Sequence, residues 1–209
     1  MSSHGIKDRV AIVAMGCTDF GEHWDRSADD LIIDAAGQAL TGAGVTTDEI
    51  DAYWFGTATT AMSGIALSQA LKLRAKPVTR LENYCATGSE ALRNACYAVA
   101  SGAYDSAMAI GVEKVKDGGY QGLNAPPIPT DGTQRTLTAA AMFSLVAPAY
   151  GQKYGVSDAE LREVLARIAA KNHRNGARNP RAQFRREVSV ETICQAAPVA
   201  GRLGLFDCA

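Results

Sequence analysis

Residues 78–112 read VTRLENYCATGSEALRNACYAVASGAYDSAMAIGV, and this run sets the expected architecture. Val78 to Glu82 is a short strand. Ser89 to Ser101 is a helix with Leu92, Ala95, Cys96 and Val99 on one face, and Gly102 stops it. Ser106 to Val112 (SAMAIGV) is apolar on both faces, which suits a buried strand covered by helices on either side. A strand, a helix and a strand at this spacing predict an α/β fold with a largely parallel sheet.

The flanking sequence extends the alternation. Arg9 to Gly16 (RVAIVAMG) is a continuous apolar run and is expected to be the first buried strand. Ser27 then caps a helix whose first turn carries Asp29 and Asp30, where negative charge favours the helix dipole. Its apolar face is Ile32, Ala35, Ala36, Ala39 and Leu40, and Gly42 and Gly44 end it. Asp51 to Ala58 (DAYWFGTA) is a bulky strand, Gly64 to Leu73 a short helix, and Pro77 marks a turn.

The texture changes after Glu113. Lys114 to Arg135 holds glycines and three prolines (Pro126, Pro127, Pro129), and a loop of that length inside a domain is usually functional. Helices follow over Leu137 to Tyr154 and Ala159 to Asn175. Ser157 and Glu160 form a capping box for the second, and Leu161, Val164, Leu165, Ile168 and Ala169 form its apolar face. Arg178 to Glu187 reads as a solvated basic loop. Gly204 to Ala209 (GLFDCA) reads as the approach to another buried strand.

Composition narrows the function. The chain has 209 residues, 21 basic and 22 acidic side chains and a hydrophobic fraction of 47%. A net charge of −1 gives no electrostatic reason to expect nucleic acid or an anionic membrane. No stretch approaches the roughly 18–20 apolar residues of a membrane span, and the short N-terminal apolar run is no secretory signal. The five cysteines (Cys17, Cys85, Cys96, Cys194, Cys208) are odd in number, widely spaced and lack a C-x-x-C pair. A disulfide framework and a metal site are therefore not expected, and a cytoplasmic location is. Gly118-Gly119 lacks the context of a phosphate loop.

Chemistry concentrates at Asn83-Tyr-Cys-Ala-Thr-Gly-Ser89, between a strand end and a helix start. A cysteine there meets unsatisfied backbone N–H groups and the positive end of a helix dipole, which favour a thiolate. The same N–H groups can stabilise an oxyanion. Position alone supports a nucleophile and a buried structural cysteine equally. Cys96, Cys17 and Cys194 read as structural, and Cys208 has no assigned role. His4, His23 and His173 offer no partner for Cys85 by spacing, and helix-end capping accounts for His173. Asp29/Asp30 and Asp48/Glu49 are explained by capping.

These residues resemble a known family, the thiolases, and within it the sterol-carrier-protein-type thiolases and lipid-transfer-protein-like acetyl-CoA acetyltransferases. The resemblance rests on VAIVAMGCTDFG (10–21), Asn83-Tyr-Cys-Ala-Thr-Gly-Ser-Glu-Ala91, AIGVEKV (109–115), Ala170-Lys-Asn-His-Arg174 with Asn179-Pro180 and Phe184, and GLFDCA. It implies a layered α-β-α-β-α fold, of which this chain covers the N-terminal half. Residues 1–113 correspond to the α/β core, 114–201 to a loop domain covering the active site, and 202–209 to the return to the core. It also implies that Cys85 accepts an acyl group from a coenzyme A thioester, with no permanently bound cofactor. A homodimer and a small acyl-CoA-binding partner subunit follow from the same resemblance. The family's catalytic His, second Cys and oxyanion-binding His or Asn have no counterpart in these residues. Two alternatives stand beside acyl transfer: an aldolase-like relative acting on a steroid-type acyl-CoA, and a non-enzymatic lipid-carrying or assembly subunit.

Overall fold

The computed structural model describes residues 5–118, 128–130, 133–135 and 139–208. They fall into two compact units, Met1–Thr18 with Glu22–Gly119, and Asp19–Gly21 with Tyr120–Ala209.

The first unit is a parallel sheet between helices. Helix α1 (Ala28–Ala43) starts at a capping box, with Ser27 and Asp30 exchanging bonds, and ends at Gly44 in the left-handed region (φ 71°). Strand β1 (Ala52–Gly56), helix α2 (Ile65–Ala70), strand β2 (Val78–Leu81), helix α3 (Thr87–Ala100) and strand β3 (Ala107–Gly111) follow. The strand order is β2-β1-β3. Both pairings are parallel, with Tyr53 opposite Val78 and Met108. Alternate side chains of β1 serve opposite faces. Tyr53 and Phe55 pack with Ile32, Ala36, Leu67 and Ala70 of α1 and α2. Ala52 and Trp54 pack with Ala91 and Ala95 of α3. Burying Tyr53 and Phe55 contributes about 2 kcal/mol each. The Tyr53 hydroxyl donates to the Thr47 carbonyl at 2.9 Å.

Two expectations for this unit are corrected. Arg9 to Gly16 forms no strand. Among the described residues it pairs with no ladder partner. It runs beside α1, where a Cβ on Gly16 would lie 2.9 Å from the Ala39 nitrogen. Ile12, Val13 and Met15 stay exposed at 70%, 79% and 82%. The buried face of α3 also differs. Thr87, Ala91, Ala95 and Ala100 are buried, while Leu92 is exposed and Cys96 and Val99 are half-buried. Small residues face the sheet because the Trp54 indole fills the space between strand and helix.

The second unit is mainly helical. Strands β4 (Ile128–Thr130) and β5 (Thr133–Arg135) pair antiparallel. Positions 119–127 and 131–132 of the expected loop lie outside the described residues. The single helix expected over Leu137 to Tyr154 is two, α4 (Ala139–Phe143) and α5 (Val146–Tyr154). Pro148 explains the break. Inside a continuous helix its ring would meet the Ser144 carbonyl, whereas in a first turn it is tolerated. Helix α6 (Asp158–Ala177) starts at the Ser157/Glu160 capping box. It packs Ala166 and Ala169 against Ile193 of α7 (Val190–Cys194). Strands β6 (Pro198–Ala200) and β7 (Leu203–Gly204) form a short antiparallel pair. Within Gly204 to Ala209, Leu205–Asp207 is a 3-10 turn. It is held by the Asp207 carboxylate, which accepts from the Gly204 amide at 2.7 Å and pairs with Arg162.

Candidate active site

All three parallel strands deliver their carboxyl ends to one edge, where ligands bind in open α/β sheets. From β2 the chain passes through Glu82 and Asn83 into a 3-10 turn, Tyr84–Ala86, and then α3. Cys85 is the middle residue of that turn. It is exposed, whereas Cys17, Cys96, Cys194 and Cys208 are half-buried. Apolar burial, which a structural cysteine requires, is therefore not its environment.

Three features fix the turn. Tyr84 has a positive φ of 47°, an uncommon conformation for a side chain with a Cβ. The Glu82 carboxylate accepts from its amide. Thr87, buried at the start of α3, accepts from the Asn83 amide at 2.8 Å and donates to the Tyr84 carbonyl at 2.6 Å. Gly56 at the end of β1 makes room for Thr87, since a Cβ there would lie 2.8 Å from the Thr87 methyl. No side chain caps the first turn of α3; the Thr87 amide is taken by the Tyr84 carbonyl, and the amides after it carry the positive end of the helix dipole.

Sequence reasoning missed a neighbouring feature, a carboxylate at the end of β3. Glu113 accepts from the Ala58, Thr59 and Thr60 amides at 2.6, 3.2 and 3.0 Å. It also accepts from the hydroxyls of Thr57, Thr59 and Thr60 at 3.1, 2.7 and 2.8 Å. Burial opposes its charge. The Thr59 and Thr60 hydroxyls and the Ala58 and Thr59 amides outweigh that effect and hold the carboxyl at about 2. The carbonyls of the same loop are held by a cation, with Arg80 donating to Thr57 and Ala58 at 2.8 and 2.9 Å. The available signal was the run Thr57-Ala-Thr-Thr60 after one strand and a lone acid after another.

His23 and His173 are the histidines among the described residues. His4 lies outside the described residues. His23 precedes α1. His173 lies in α6, its ring edge-on to Phe206 with centroids 5.4 Å apart, so aromatic packing rather than helix-end capping describes it. Asp30 and Glu49 cap their helices as expected. Among the described residues no group of three His, Cys, Asp or Glu side chains is placed to hold a metal, and no helix is long and apolar enough to cross a membrane. An open groove of about 450 Å³, lined by Asp51, Lys76, Tyr104 and Asp105 among others, lies at the amino ends of the strands, and no cysteine or histidine is among its lining residues.

Known proteins give this geometry a lineage. Acetyl-CoA acetyltransferase of Methanothermobacter thermautotrophicus is 35% identical over 214 residues, covering 95% of this chain and 53% of that protein. Sterol carrier protein 2 of Gallus gallus is 28% identical, covering 97% of this chain and 39% of that protein. The chain thus spans about half the length, or less, of these curated relatives. The solved Ltp2-ChsH2(DUF35) aldolase superposes with a TM-score of 0.72 at 20% identity, over 94% of this chain and 51% of that one, a likeness of fold. Residues 10–197 match the family described as thiolase, N-terminal domain, and the chain belongs to that family, with a thiolase-like fold.

Proposed function

We propose that Cys85 is the acyl-accepting nucleophile of an acyl-CoA C-acyltransferase of the acetyl-CoA acetyltransferase type. One observation carries this reading: Cys85 is exposed at the carboxyl edge of a parallel sheet, two residues before an uncapped helix start. The thiolate attacks the carbonyl carbon of an acyl-CoA thioester. The oxyanion that forms is stabilised by the leading amides of α3. Collapse of that intermediate expels the coenzyme A thiolate and leaves the acyl group on sulfur. A second acyl-CoA, or free coenzyme A, then removes it.

The relatives named acetyl-CoA acetyltransferase support a thiolase-type enzyme at the family level. A role in lipid or sterol metabolism, a cytoplasmic setting, a homodimer and a small partner subunit complete the proposal. So does the division into a core over 1–113, a loop domain over 114–201 and a return over 202–209. The groups that move protons during acyl transfer are proposed to come from a second half of the whole protein. The exposed cysteine favours acyl transfer over the aldolase and carrier alternatives, which do not require it.

Mass spectrometry after incubation of the full-length protein with acetyl-CoA tests the reading. The expected result is one acetyl group on Cys85, absent in Cys85→Ala. Acetylation at another residue, unchanged in that variant, would sink it.

A further inference from the structure

The loop after β1 carries an arrangement that helix capping and core packing leave unexplained. It is bonded from both sides by opposite charges. The Glu113 carboxylate takes the amides of Ala58, Thr59 and Thr60, while the Arg80 guanidinium takes the carbonyls of Thr57 and Ala58. Neither charge lies near its loop partners in sequence: Glu113 is 53–56 residues from them and Arg80 is 22–23.

The loop shares its edge with the nucleophile turn. The Thr57 amide donates to the Leu81 carbonyl at 3.3 Å, four residues before Cys85. Gly56 abuts Thr87, the residue that ties the turn together. Beyond the clamped residues the loop is open to solvent, with Met62 exposed at 96%. The loop and the Cys85 turn are therefore joined at one sheet edge, and the loop's shape depends on a distant acid.

We propose that Glu113 is a positioning residue for the Cys85 site: by clamping Thr57–Thr60 it fixes a wall against which an acyl-CoA is oriented for attack. The inference rests on the acyltransferase reading for its substrate, and on the hydrogen bonds alone for the clamp. Glu113 itself touches no reacting atom. Its carboxylate offers only acceptors to the loop's donors, whereas a glutamine amide would turn an N–H₂ group toward some of them.

The experiment compares wild type and Glu113→Gln in the full-length protein, well below the melting temperature of each. Three rates are read: acetylation of Cys85 by acetyl-CoA, alkylation of Cys85 by iodoacetamide, and amide exchange over Ala58–Thr60. In the variant, exchange accelerates and acetylation falls about 10- to 100-fold, the scale of a small misplacement of reacting groups. Iodoacetamide, which needs no wall, reacts at the wild-type rate. Thr59→Val removes one exposed donor and gives a smaller change of the same kind, which decides the matter should Glu113→Gln not fold. Equal acetylation in folded wild type and variant overturns the proposal. So does an equal loss with both reagents, because the effect would then lie on the thiol. If wild-type Cys85 takes iodoacetamide but never an acyl group, the acyltransferase reading falls. Faster exchange in the variant would then sustain the clamp, and unchanged exchange would remove it too.

Discussion

Each of the two units has a carboxylate that ties distant stretches together, and the two use different chemistry. Glu113 in the first unit binds neutral dipoles, three amides and three hydroxyls. Asp207 in the second binds a cation, Arg162, which also donates to the Ile193 carbonyl. Asp207 is 2% exposed and its Oδ1 has no hydrogen-bond partner among the described residues, whereas Arg162 is 23% exposed. A buried ion pair contributes modestly when intact and is costly to break from one side. A carboxylate on a loop of hydroxyls holds that loop at the carboxyl edge of the sheet. The ion pair ties α6 to the turn at Leu205–Asp207, and the hydroxyl-bound acid ties the loop after β1 to the end of β3.

Four measurements sharpen or break this contrast. The largest expected effect is chemical: Cys85→Ala abolishes acyl-enzyme formation while the melting temperature stays within a degree or so, since the side chain is exposed and surface changes are small. A large loss of stability would mean the cysteine is structural. Next, Asp207→Asn leaves Arg162 without its counter-charge and costs about 3 kcal/mol, read as a lower urea midpoint by circular dichroism. An unchanged midpoint would erase the distinction between the two carboxylates.

Gly56→Ala is smaller. Its Cβ would press on the Thr87 methyl at 2.8 Å, at a cost of about 1–2 kcal/mol. It also displaces the turn that carries Cys85, so iodoacetamide labelling changes rate. Wild-type stability with wild-type labelling would show that β1 does not set the turn. The smallest effect is a pH dependence. Glu113 has a folded value of about 2 against an ordinary 4.5. Its stabilisation is therefore complete above pH 4.5 and is lost as pH falls toward 2. Glu113→Gln flattens the stability curve in that window, and solvent screening keeps the difference small. Parallel acid curves would remove the loop bonds from the account.

Much of the first unit was legible because local signals agreed. Ser27 with Asp30 announces a helix start within four residues, Asp51 to Ala58 is apolar enough to be buried, and Ser106 to Val112 forms its strand with Ile110 and Val112 buried and the rest half-buried or exposed. In the second unit Ser157 with Glu160 does the same for α6 as Ser27 with Asp30 does for α1. The turn that holds Cys85 was legible as the junction between a strand and a helix. Three things were not. Arg9 to Gly16 has the composition of a strand, but a strand also needs a neighbour to bond, and composition does not supply one. The large residues of α3 suggested its inner face, whereas Trp54 selects Ala91 and Ala95. Glu113 could not be matched to its loop because hydrogen bonds spanning 53–56 positions leave no periodic trace.

The segment Val10–Met15, VAIVAM, carries a practical consequence. Six successive β-favouring or small apolar residues, without charge or proline, stand largely open to water. Such a segment is a template for cross-strand stacking between molecules. This polypeptide, handled alone, will become turbid as its concentration rises, and an Ile12→Lys change will keep it clear without touching the cysteine turn.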